Sequence, residues 1–160
     1  MKNLIVLISF SMFFNCFGQN GSYFGKPTDA YELCQYRVQA VNSFSSNLEA
    51  EKVLELIVNA TGITKRFVLY QCNGIDNCEA ITFRGIRYIF YDNNFMKSIS
   101  ANTGSAWTNI SILAHEVGHH VNAHSLDWLA IASGEIQDIT LEVKRQQELE
   151  ADEFSGFVMY

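Results

Sequence analysis

The sequence predicts an α+β domain in which helices come first, a small antiparallel sheet lies in the middle, and two further helices follow. Three observations carry this. Apolar residues recur at three- and four-residue spacing up to about residue 60, and again from about residue 108. Between these stretches lie three short runs rich in Val, Ile, Tyr and Phe, set apart by turn-forming residues. With 160 residues and 48% of them hydrophobic, the chain has room for one packed domain and too much apolar content for a disordered one.

The N-terminus places Lys2 ahead of an apolar run from Leu4 to Phe14, followed by small and polar residues. That is the layout of a signal peptide over residues 1–18, cleaved after Gly18, which leaves 19–160 as the mature domain. The run is shorter than the roughly 20 residues needed to cross a bilayer, so no stable transmembrane span is expected after cleavage. The protein is therefore expected to be exported, either periplasmic or secreted. A lipoprotein anchored through Cys16 is the alternative, although "FFNC" lacks the small residue that usually precedes such a cysteine.

From Asp29 to about Ala60 the pattern is helical, with Leu48, Val53, Leu56, Ile57 and Ala60 recurring at three- and four-residue spacing and Gly62 closing the run. "RFVLYQC" from Arg66, "EAITFRG" from Glu79 and "IRYIFYD" from Ile86 read as strands in an antiparallel meander. The loop between the first two is bounded by Cys72 and Cys78 and contains Asn-Gly, which favours a disulfide between them in an oxidising compartment; reduced, buried cysteines are the alternative. "DNNFMKSISANTGSAW" reads as a polar connector. A helix then carries Ile110, Leu113, Ala114, Val117 and Val121, capped near Thr108 or Asn109. The last helix, in "DITLEVKRQQELEADEFSGFVMY", reaches Tyr160 with apolar residues still in register and no stop signal, so the domain is expected to continue beyond this residue.

All four histidines lie between Ala114 and Ser125. His115, Glu116 and His119 match H-E-x-x-H. On a helix, residues i and i+4 share a face, so both imidazoles can point at one ion while Glu116 points beside it at a metal-bound water. Zinc makes such a water acidic and the carboxylate takes its proton, which is a hydrolase layout. A catalytic zinc site needs a third protein ligand, and "ELEAD" offers Glu148 with Asp152 one turn on. Glu148 completes a His2Glu set, and Asp152 accepts a hydrogen bond from the outer nitrogen of one ligating His. His124 lies near 180° from His115 at about 100° per residue. It reads as a surface or second-contact residue, as does His120.

"HEVGHHVNAH" and "ELEADEFSGF" resemble the gluzincin peptidases, within them the minimal-domain branch similar to the CAAX prenyl endopeptidases and the bacterial heat-shock membrane protease. The resemblance spans residues 88–160. It implies a zincin-like fold and a zinc metalloendopeptidase acting on peptide or protein substrates, with His115, His119 and Glu148 as zinc ligands and Glu116 as general base. It also implies that Tyr88, Ile89, Phe90 and Tyr91 form the edge strand that receives substrate, and that the oxyanion donor lies beyond Tyr160. Unlike the membrane branch, the chain reads as soluble and exported. The competing function is a non-catalytic, zinc-binding exported domain that recognises a peptide or envelope protein. A net charge of −6, with only 11 scattered Lys and Arg, excludes a nucleic-acid surface.

Overall fold

A computed structural model describes residues 34, 48–83, 85–126, 134 and 139–160. The expected signal peptide, Cys16 and the helical pattern before residue 48, Cys34 apart, lie outside the described residues. The elements in order are α1 (Leu48–Thr61), β1 (Val68–Gln71), β2 (Cys78–Phe83), β3 (Ile86–Tyr91), α2 (Asn93–Thr103), α3 (Trp107–Val121) and α4 (Leu141–Met159). No described helix is long and apolar enough to cross a membrane.

The fold is α+β, but its three-stranded sheet is mixed, not the expected antiparallel meander. The strand order is β1-β3-β2, with β1 parallel to β3 and β2 antiparallel to it. Residues 72–77 carry the chain across the end of β3, so β2 lands on its far side. This crossing is tied down twice, by the Cys72 N–H to the Tyr91 carbonyl (2.8 Å) and by the Asp92 N–H to the Asn77 carbonyl (2.9 Å). The Asp92 carboxylate also accepts from the loop N–H groups of Gly74 (2.6 Å) and Asp76 (3.2 Å).

The expected edge strand is therefore the central one. Tyr88, Ile89, Phe90 and Tyr91 are all buried, because β3 is paired on both edges and covered on both faces. Side chains alternate between two clusters. Ile89 and Tyr91, with Leu69 and Cys78, pack against Leu54 and Ile57 of α1, Met96 of α2, and Leu113, Ala114 and Val117 of α3. Tyr88 and Phe90, with Tyr70 and Ile81, pack on the other face with Cys34 and Cys72.

The cysteine pairing also differs from expectation. Cys72 is bonded to Cys34, with Cα atoms 5.9 Å apart, and Cys78 is a buried thiol outside the disulfide. Cys72 and Cys78 belong to opposite faces of the sheet, which separates two residues that the sequence places close together.

The expected polar connector is instead largely α2. Asp92 caps it by accepting from the Asn94 N–H (2.8 Å), and Gly104 ends it in the left-handed region at φ 65°. α3 begins one residue before the expected cap, with no side-chain cap at Ala106. α4 begins after Thr140, whose hydroxyl accepts from the Val143 N–H.

Candidate metal centre

α3 lies under β2 and against α4, and its buried face carries Glu116, Val117, His119 and His120. α4 presents Gln147, Ala151 and Ser155, a stripe at four-residue spacing. Two features let the helices come close. Gly118 sits directly against the Ala151 backbone and the Phe154 Cβ, so near that an added Cβ would lie 3.0 Å from the Ala151 Cα. The Ser155 hydroxyl donates to the Ser111 carbonyl (2.9 Å). Glu148 and Asp152, each one residue past the stripe, are thereby brought over the first turn of the histidine motif.

The expected ligands converge. His115 Nε2 is 3.1 Å from His119 Nε2 and 3.2 Å from Glu148 Oε2, and His119 Nε2 is 3.6 Å from Glu148 Oε1. The two rings stand edge to face at 78°, which aims both outer nitrogens at one point. Among the described residues these three form a group that could hold a metal ion. Ligands about 2.0–2.2 Å from a tetrahedral ion stand about 3.3–3.6 Å apart, and the observed 3.1, 3.2 and 3.6 Å separations, the last two to different Glu148 oxygens, lie close to that range. Asp152 Oδ1 lies 2.8 Å from His115 Nδ1, where it fixes the ring with Nε2 facing inward.

Glu116 is 2% exposed, and its Oε2 accepts a 2.7 Å hydrogen bond from the Ala80 N–H of β2. Burial pushes its carboxyl up to about 8; Glu79 and Glu148 add to the rise, against the lowering by His115 and the Ala80 N–H. Burial alone would lower His115. Glu148, Glu116 and Asp152 outweigh it and hold the ring up to about 9. His119 is lowered, chiefly by burial. Glu148 is brought down to about 2 by its two histidine partners, despite the opposing effect of burial. The group thus places its positive charge on His115 and its negative charge on Glu148.

The other two histidines differ sharply. His120, expected near the surface, is 1% exposed. Its Nε2–H donates to the Tyr88 carbonyl (2.8 Å), and its Nδ1 accepts from Ser125 Oγ (2.9 Å), which in turn accepts from Thr82 Oγ1 (3.0 Å). Phe67 stacks on the ring at 5.6 Å. Burial pushes this imidazole down to about 4, so it is a neutral tie between helix and sheet. His124 is a second contact: its Nδ1 is 3.1 Å from His119 Nδ1 and its Nε2 is 2.9 Å from Glu150 Oε2. It reaches this place because α3 ends at Val121 and Ala123 turns the chain through φ 65°. Sequence reasoning missed Glu150 and the Ala80 N–H. The second carboxylate of "ELEAD" was a signal for Glu150, whereas a backbone donor leaves none.

Comparison with family models, with curated proteins and with solved structures finds no match for this chain.

Proposed function

We propose that the chain is a zinc-dependent endopeptidase, exported from the cytoplasm, with His115, His119 and Glu148 as ligands and Glu116 as general base. The observation that carries the reading is the meeting of three donors at ligand spacing beside a buried carboxylate that no ligand role requires. A purely structural zinc site has no use for a base at that position. The resemblance of "HEVGHHVNAH" and "ELEAD" to the gluzincin peptidases points the same way, and the Cys34–Cys72 disulfide supports an oxidising compartment.

Bound there, zinc would supply the Lewis acidity that makes a water acidic and polarises a carbonyl. The residues of the chain do the rest. Asp152 keeps His115 in the tautomer that offers Nε2. The Ala80 N–H holds one oxygen of Glu116, so the carboxylate is oriented before substrate arrives. Glu116 takes a proton from the attacking water and returns it to the departing amine. β2 has β3 as its only strand neighbour among the described residues, and the Ala80 N–H on its outer edge faces Glu116. An extended peptide would lie along this edge by strand addition, with its scissile bond over the base.

The test is Glu116→Gln assayed on a peptide library. The zinc content should be unchanged, and turnover should fall by about 10²-fold or more. Equal turnover in the variant would refute the role of Glu116, and no turnover in either protein beside full zinc content would leave a zinc-binding module that recognises a peptide without cleaving it.

A further inference from the structure

We infer that His124 and Glu150 are positioning residues for the second metal ligand, forming a relay that fixes the tautomer and ring angle of His119. The inference rests on the zinc reading above and goes beyond it, since neither residue is among the proposed ligands or the proposed base.

If His119 offers Nε2 to an ion, its proton must sit on Nδ1. His124 Nδ1 is 3.1 Å away and can accept that proton's hydrogen bond only if His124 carries its own proton on Nε2. That Nε2 lies 2.9 Å from Glu150 Oε2, a carboxylate that can only accept. One assignment satisfies every link: His119 Nδ1–H to His124 Nδ1, then His124 Nε2–H to Glu150. Glu150 is itself steadied by the Gln146 side-chain amide, which donates to Oε1 at 3.1 Å.

The burial gradient fits this order. The side chains of His119 and His124 are each 9% exposed and that of Glu150 is 41% exposed, so the relay runs from the site outward to solvent. The His119 and His124 rings meet edge to face at 70°, the orientation that brings one ring's nitrogen toward the other's lone pair. The backbone is shaped for it as well. An unbroken helix would carry residue 124 away from His119, and the turn at Ala123, a non-glycine residue at φ 65°, returns it. His115 has its own partner in Asp152, so each ligating ring is gripped from behind by a different segment.

The experiment is zinc competition against a chromophoric chelator on the full chain, together with the visible spectrum of the cobalt-substituted protein. The variants are His124→Phe, His124→Asn, Glu150→Ala and the His124→Phe/Glu150→Ala pair. His124→Phe keeps the ring but has no acceptor, and should weaken zinc binding by about 10–100-fold. His124→Asn puts an acceptor oxygen near the position of Nδ1 and should restore most of the affinity. Glu150→Ala, at a partly exposed site, should weaken binding by about 2–10-fold and have no added effect beside His124→Phe. Altered cobalt absorption in His124→Phe, with a wild-type spectrum in His124→Asn, is the signature of ligand orientation.

Wild-type zinc affinity in both His124→Phe and Glu150→Ala would overturn the inference while leaving the three-ligand site intact. Equal losses in His124→Phe and His124→Asn would overturn it in favour of simple packing. A wild-type protein that binds no zinc would overturn the metal reading and the relay together.

Discussion

Replacing Gly118 with alanine puts a methyl group into the narrowest gap between α3 and α4. The new Cβ would stand 3.0 Å from Ala151 Cα, 3.1 Å from Phe154 Cβ and 3.2 Å from the Ala151 carbonyl oxygen, where ordinary carbon contacts are about 3.5–4.0 Å. Two of these neighbours are backbone atoms of α4, so no side-chain rotation relieves the clash and the helix itself must retreat by a few tenths of an ångström. Overpacking of this kind costs about 1–3 kcal/mol, and the better helix propensity of alanine returns about 1 kcal/mol. The net effect is a destabilisation of about 0–2 kcal/mol. Gly156→Ala is the matched control: it lies in α4 with nothing within 4 Å of the added methyl, and should stabilise by about 0.5–1 kcal/mol. Thermal denaturation of the two variants should therefore separate their midpoints by several degrees, at about 3 °C per kcal/mol for a chain of this length. Because α4 carries Glu148, Gly118→Ala should also weaken zinc binding, while Gly156→Ala should leave it unchanged. Equal stabilisation by both substitutions, with equal zinc affinity, would refute the close helix contact.

Two further outcomes follow from charge. Burial alone would raise Asp92, but the N–H groups of Gly74, Asn94, Asp76 and Phe95 hold its carboxyl below its ordinary value of 3.8. A lowered folded value means that its stabilisation is present above the unfolded value and lost as pH falls through the folded one. Asp92→Asn should cost about 1–3 kcal/mol at pH 7, with a shallower loss of stability between pH 5 and pH 3 in denaturant titrations; an unchanged acid limb would contradict the assignment. His115, held up to about 9, carries a proton at neutral pH that zinc must displace. Zinc affinity should therefore rise with pH up to about 9, and calorimetry at pH 7 in buffers of different ionisation enthalpy should show at least one proton released. No proton release would show that His115 is neutral before binding.

The candidate ligand cluster was legible because the period of a helix is fixed: four residues separate His115 from His119 and Glu148 from Asp152, and both pairs share a face wherever the helices lie. The sheet order was not legible. Alternation carries no information on which strand is the neighbour, although the structure does place Tyr88 with Phe90 on one face and Ile89 with Tyr91 on the other. The run "YIFY" held a usable hint, since a continuous apolar strand is the mark of burial on both faces. α2 escaped detection because it buries little, Met96 being its one buried residue, although Asp92 and Gly104 are ordinary start and stop signals. The Cys34–Cys72 bond joins residues 38 positions apart and depends on the tertiary fold, which spacing alone does not reveal. His124 was placed by assuming that α3 runs on, and the turn at Ala123 is what returns it to His119.

The central claim is that His115, His119 and Glu148 hold one zinc ion, and elemental analysis of the purified protein beside a Glu148→Ala variant tests it most directly. The account predicts about one zinc per wild-type chain and a sharp reduction in the variant, with both proteins folded by circular dichroism. A folded wild-type protein with no zinc, prepared without chelators, or a variant that keeps its full complement, would contradict it.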